Sequence, residues 1–423
     1  KVAETNGGAI ENESNSVLIT GSEFVENSAR DGAAVFNKKV TFSTSIATMT
    51  VLDTVFTGNT ATSSGGGIKN TDASLTVTNS SFQNNSGFAA GGGGIDHSTG
   101  QLLIQSSTFT GNSTNADGGA VSIYSEAIVD VEESHLIADT LFTENTANKS
   151  GGAISSLNGI LTIQNSHITG NSASVNGGGV NSFDTNVTIL NTAMSMNTAG
   201  KDGGAILSTF DDHLRIENST ISGNQAISFG GGIAIKSGHS TILQSTISGN
   251  TSSGSGGGIS YNSSNGQDTP TILNSTITGN SATQNGGGIY GFFTGDIEIQ
   301  NSIVAGNSAG SGAQLYENFV GEFTGSHNVI QDSVAGVLDP VLRDNGGAVL
   351  THALLTDSPA INAGDNSAIQ STGLLLDQRG LGYPRIVGGT VDAGAFEYLG
   401  SHFLVDSATD TDDGDYTAGN IAL

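Results

Sequence analysis

Residues 404–423 hold Asp406, Asp410, Asp412, Asp413 and Asp415. Carboxylates at that density suit Ca2+, a hard cation that gathers several oxygen ligands. The spacing is not that of an EF-hand loop: Gly414 is misplaced, and Ile421 stands where a glutamate is required. The plainer reading is a solvated acidic linker. These five aspartates are the expected metal ligands, with calcium as the only cofactor.

Two other clusters hold groups for acid–base work. One is Asp211, Asp212 and His213 with Arg215, and the other is Asp130, Glu132 and Glu133 with His135. Paired carboxylates can protonate a glycosidic oxygen and activate a nucleophile. Both clusters fall where the chain turns or carries an insertion, so an exposed loop is the simpler account. No catalytic residue is expected.

The eight histidines form no H-x-H or H-x-x-x-H pair, which argues against a structural metal site. The glycine runs at 65–67, 91–94 and 177–179 lack the lysine of a phosphate loop. Asp377, Arg379, Arg385, Asp392 and Glu397 alternate with apolar residues and read as a structural ion-pair network.

These groups need a scaffold. The chain has 423 residues, with 62 Gly, 4 Pro, no Trp and no Cys. Its net charge of −27 opposes nucleic acid and anionic membrane as partners. No apolar run is long enough for a membrane-spanning helix. The first residue is Lys1, without a leader, which reads as a processed or excised piece.

The dominant feature is an internal repeat. Residues 151–173, GGAISSLNGILTIQNSHITGNSA, show one unit. An aliphatic anchor follows the glycines, as at Ile154, Val180, Ile206 and Ile233. A second apolar anchor stands three before an asparagine, as at Phe142, Ile168, Met194 and Ile221. The asparagines run from Asn27 to Asn307 at spacings of 32, 26, 27, 33, 26, 26, 27, 26, 30 and 27. That is a period near 26 with occasional insertions. Inside a unit the apolar residues alternate, as at Leu161 and Ile163, which indicates short strands.

The repeat therefore predicts an all-β fold: a right-handed, single-stranded parallel β-helix of about 11–12 coils over residues 1–310. Leu315, 26 residues past Ile289, begins a degenerate twelfth coil. Pro270 is the only proline before 310, as central strands require. The Asn column suits tight left-handed corners and side-chain bonding along the axis. The Gly-Gly pairs suit corners where a Cβ would clash. Beyond 310 the proline and arginine content rises, marking a small C-terminal cap domain at 311–400. Residues 401–423 form an acidic extension.

GGAI at 7–10, 151–154 and 203–206, GGAV at 118–121, and F-x-x-N at Phe24, Phe56, Phe82, Phe109 and Phe142 resemble the chlamydial polymorphic outer membrane protein repeats. That resemblance implies a right-handed β-helix in a surface-exposed adhesin or autotransporter passenger. The stretch from DPVLRDNGG to GGTVDAGAFE resembles the choice-of-anchor Q domain, which ends β-helical regions of secreted or surface proteins. LVDSATDTDDGDYTAGNIAL resembles the opening of a CSLREA-type segment.

Two functions compete. The first is a non-enzymatic structural or adhesive module, secreted or on the cell surface, within a multi-module protein or a head-to-tail filament. Its partners are neighbouring modules or further copies, with a glycan or cell-surface receptor as ligand. The second is a polysaccharide lyase or hydrolase on the same scaffold. Regular coils and few tyrosines favour the first. An ice-binding role requires a flat Thr-x-Thr ladder, and none is evident in register in the sequence.

Overall fold

A computed structural model describes residues 5–13, 16–39, 48–126, 133–210, 213–263, 269–292, 295–318 and 321–400. The repeat winds into a parallel β-solenoid. One coil consists of strands Ile154–Leu157, Ile160–Gln164, His167–Thr169 and Ser172–Ala173. Each strand pairs in parallel with its copies in the coils above and below. The first, second and third sheets each contain twelve strands and the fourth contains ten. At ~4.8 Å per coil the rod is about 53 Å long.

Alternation divides each strand into an inner and an outer set of side chains. The expected anchors stack inside. Ile154, Val180, Ile206 and Ile233 are fully buried in one row, and Ile168, Met194, Ile221 and Ile247 in another. In the first five coils the second row is aromatic: Phe24, Phe56, Phe82, Phe109 and Phe142 stack with ring centroids 4.5–4.9 Å apart. The twelfth coil forms as its spacing predicts, with Leu315 paired to Ile289.

A buried asparagine follows each of the first eleven third-sheet strands. Asn145 Nδ2 donates to Asn171 Oδ1 at 2.9 Å, and Asn171 Nδ2 to Asn197 Oδ1 at 3.0 Å. The same carboxamide oxygen accepts the backbone N–H of the preceding coil's asparagine, at 3.0 Å for Asn145 N to Asn171 Oδ1. The second donor hydrogen of Asn171 goes to the carbonyl of Phe142 at 3.1 Å. This ladder continues from Asn27 to Asn307, where Gln314 Oε1 receives the last amide at 2.8 Å.

The expectation that these asparagines take the left-handed backbone is corrected. The left-handed residue is the one before: Gly58, Asn84, Gly111, Glu144, Gly170 and Met196 all have positive φ. The ladder asparagine follows the corner and points inward. A second ladder lies at the preceding corner. Ser80, Ser107, Ser166, Ser219, Ser245 and Ser275 each accept a backbone N–H from the previous coil, and each hydroxyl donates to the carbonyl two residues earlier. Of the glycine pair, Gly151 has φ +69, and a Cβ on Gly152 would collide with the Gly178 carbonyl of the next coil.

The segment expected as a terminal cap makes its hydrogen bonds to the side of the rod. Gln378 Nε2 donates to the Ser219 carbonyl at 3.0 Å and to Thr220 Oγ1 at 2.9 Å, and its Oε1 accepts from Thr246 Oγ1 at 2.6 Å. Ser248 meets His352 Nε2 at 2.8 Å, and Ala395 N donates to Thr276 Oγ1 at 3.1 Å. A small apolar cluster containing Ile303, Val337, Leu338, Leu354 and Phe396 joins it to the third sheet. Its one helix is Asn366–Thr372, with Asp365 as N-cap and Gly373 at the C-terminus.

Two variants test this framework. Asn171→Leu leaves the Asn145 backbone N–H and one Asn145 Nδ2–H buried without their shared acceptor. At about 1–3 kcal/mol for each orphaned group, the expected loss is roughly 2–6 kcal/mol, read from urea unfolding. Ile206→Asp puts a carboxylate in the apolar row and is expected to abolish the cooperative transition of the neighbouring coils.

Candidate functional site

The described members of the two clusters, Glu133 with His135 and His213 with Arg215, stand at the start of the second-sheet strands Ser134–Ala138 and His213–Glu217, three coils apart, or about 14 Å. Asp130, Glu132, Asp211 and Asp212 lie outside the described residues, as do Asp406, Asp410, Asp412, Asp413 and Asp415. Among the described residues no group of His, Asp and Glu could hold a metal ion.

The described members play structural parts. His135, expected on an exposed loop, is inside the solenoid with 2% exposure. Its strand alternates, and position 135 falls on the inner face. Its Nε2 meets Ser125 Oγ at 2.7 Å, and its ring sits edge-on to His97 at 5.6 Å. Glu133 Oε1 accepts the Gly100 N–H at 2.6 Å, fixing a corner. His97 ends a polar row formed by Asn12, Asn37 and Asn70 in the first coils. Burial pushes the His97 imidazole down to about 4 and that of His135 to about 3.

The described members of the second cluster face outward. Arg215 binds Glu217 at 2.5 Å, so its charge is answered within its own strand. His213 beside it is half-buried, and its basicity is lowered first by burial and then by Arg215 and His239.

The third expected group does come together, within the segment along the flank. Arg379 binds Asp377 at 2.6 Å and is sandwiched between the rings of Tyr383 and Phe396, 3.9 and 3.7 Å away. Buried Arg385 donates to the carbonyls of Asp392 at 2.9 Å and Gly394 at 2.6 Å, and lies 3.9 Å from Glu397. Glu397 accepts the Val387 and Asp392 N–H groups. Burial pushes Glu397 up to about 7 despite the arginine. Every one of these bonds holds the segment to itself, as the sequence suggests for a structural network.

Two outer surfaces escape the sequence reading. The third sheet carries aligned Thr220-x-Ser222, Thr246-x-Ser248 and Thr276-x-Thr278 rows, a ladder the sequence reading misses. The flank segment covers these rows, so they present no flat ladder to water. Where that cover ends, a groove of about 520 Å³ opens between the sheet and residues 342–350. His167, Met196, Thr220, Leu342, Asp344 and Leu350 line it.

The other surface is a row on the corner between the first and second sheets. Tyr124 pairs with Leu157 and Leu157 with Phe183, each as the outward last residue of its first-sheet strand. Their exposures are 43%, 37% and 43%. Phe210, one coil further, is 55% exposed and meets Phe183 edge to face at 5.5 Å. The sequence signal is the residue three past the first anchor in successive units, at Val121, Ile154 and Val180.

Four stretches of the chain, residues 53–71, 106–124, 139–157 and 274–291, match the Chlamydia polymorphic membrane protein repeat. Each begins at the corner before a third-sheet strand and runs through the ladder asparagine and the glycine corner into the first sheet. No curated protein sequence matches the chain.

The buried imidazoles give a pH signature. Their folded pKa values lie below the ordinary 6.5, so the unfolded chain takes up protons first as pH falls. Their contribution to stability is complete above 6.5 and is lost progressively toward 4 and 3. In His135→Asn, the urea midpoint is expected to fall less steeply than in the wild type between pH 6.5 and 4. An equal slope would show that His135 does not carry the effect.

Proposed function

We propose that this chain is a non-enzymatic module displayed at a bacterial surface, acting as a rigid adhesive or structural rod. The observation that carries this reading is the set of four in-phase repeats similar to the Chlamydia polymorphic membrane protein repeat. That family is associated with the bacterial outer membrane and surface. The chemistry of the corner supports it: His135 is turned inside, Glu133 clamps a backbone amide, and Arg215 is paired. No helix among the described residues is long and apolar enough to cross a membrane.

Neighbouring modules or further copies are the expected contacts of the end coils. Ile10, Val17, Leu315 and Phe323 are half-buried there, where their equivalents inside the rod are fully covered. Light scattering on the 423-residue chain is expected to show concentration-dependent association; a strict monomer would remove self-association from the reading.

Incubation with pectin, alginate and neutral glucans is expected to release neither reducing ends nor unsaturated products. Steady turnover that disappears in an Asp211→Asn/Asp212→Asn double variant would establish the competing reading, a carbohydrate-active enzyme on the same scaffold.

A further inference from the structure

The row Tyr124, Leu157, Phe183 and Phe210 lies along the axis of the rod, one residue per coil. Tyr124, Leu157 and Phe183 hold the same outward position in successive coils, and Phe210 follows the equivalent position, Thr209, by one residue. Their inner neighbours Ile123, Ser156 and Ser182 are buried, so the wall is closed beneath the row. An apolar row on a largely polar surface marks a place of contact.

From this row we infer that the corner between the first and second sheets, over the fifth to eighth coils, binds a neutral, extended, equatorially linked polysaccharide running parallel to the rod. The inference rests on the surface-module reading above and names a ligand class for it. Three features select that class. Tyr124 and Phe183 are two coil rises apart, about 9.6 Å. In a β-1,4-linked chain the same sugar face recurs at every second residue, so two rings at this separation meet equivalent apolar faces. Aromatic rings offer flat, amphipathic area at small entropic cost.

The second feature is the polar rim. Asn181 lies beside Phe183 on the first sheet, and Asp184 follows it at the corner. Across the corner, the outward second-sheet residues Ser134, Ile160 and Asn186 stand in register, with His213 in the next coil and His239 paired to it. Carboxylate, carboxamide and imidazole groups beside an apolar strip match a sugar, whose hydroxyls ring an apolar face. The third feature is charge. Glu126 and Asp184 border the row, and the whole chain carries −27, which repels anionic glycans, nucleic acid and acidic lipid.

The test is native electrophoresis of the 423-residue chain through gels containing hydroxyethylcellulose, xyloglucan or glucomannan, with alginate as the anionic control. Retardation is expected in at least one neutral gel and not in alginate. Tyr124→Ala/Phe183→Ala is expected to weaken it at least tenfold with an unchanged thermal midpoint, because both rings are exposed. Tyr124→Trp/Phe183→Trp is expected to keep it. The proposal is overturned by no retardation in all three neutral gels, or by retardation that the alanine pair leaves intact. It is also overturned if the alanine pair dissolves a dimer while glycan mobility stays the same, since a second copy would then occupy the row. A parallel assay for reducing ends separates the two readings. Release of ends sinks the non-enzymatic module and leaves binding at the row standing.

Discussion

A buried carboxamide has nowhere to hide its hydrogen-bonding groups, and in this fold that requirement sets the register of everything else. Each ladder asparagine has a buried oxygen and two buried N–H donors. The geometry that satisfies them is the next asparagine, one coil away, together with the carbonyl of the third-sheet strand below. A slip of one residue would orphan several such groups at once, each at about 1–3 kcal/mol. It would also turn every anchor to the wrong face. The insertions that stretch some repeats to 30, 32 or 33 residues therefore cannot be absorbed inside the coil. The asparagines before and after those repeats still meet at 2.8–3.0 Å.

Once register is fixed, inner and outer positions obey different rules. The inner rows tolerate only shape-compatible changes, such as the switch from stacked phenylalanines to Ile, Met and Val after the fifth coil. The outer rows are free of that constraint, so their content reports on contacts outside the coil. On the third sheet, three Thr/Ser rows exchange hydrogen bonds with residues 104–158 positions away in the chain. On the first sheet, an aromatic and aliphatic row meets no such segment among the described residues. The two faces differ in chemistry as the partners would require: hydroxyls where a peptide segment lies, rings where the surface is open.

The solenoid was legible because its signals are periodic. Eleven copies of an anchor and an asparagine at one spacing leave little freedom, and the anchors are buried where the pattern places them. Features set by a one-residue offset were less legible. The asparagine and the left-handed residue before it both favour corners, so type alone assigns the wrong one the positive φ. His135 reads as loop chemistry beside three acids, yet alternation within Ser134–Ala138 turns it inward. The placement of residues 332–400 was beyond the sequence. Its contacts are single side chains such as Gln378 and His352, which carry no period and meet partners more than a hundred residues away.

That lateral placement changes what the rod can do. A solenoid coil contacts only its neighbours, so stability is a sum of local terms and the coils can open independently. Residues 332–400 bind Thr220, Thr246, Thr276 and Asn301, one in each of four successive coils. A brace across four coils couples their opening, so none of them can part from the next without breaking hydrogen bonds to a common body. Coils one to seven have no such brace among the described residues and depend on the internal ladders and the phenylalanine stack. The aromatic row spans the boundary between these regimes, from the fifth coil to the eighth. Its spacing is held from inside by the same asparagines that hold the wall, and a ligand lying along it would contact several coils at once. The geometry offered to such a ligand is thus fixed before it arrives, which lowers the ordering cost of binding.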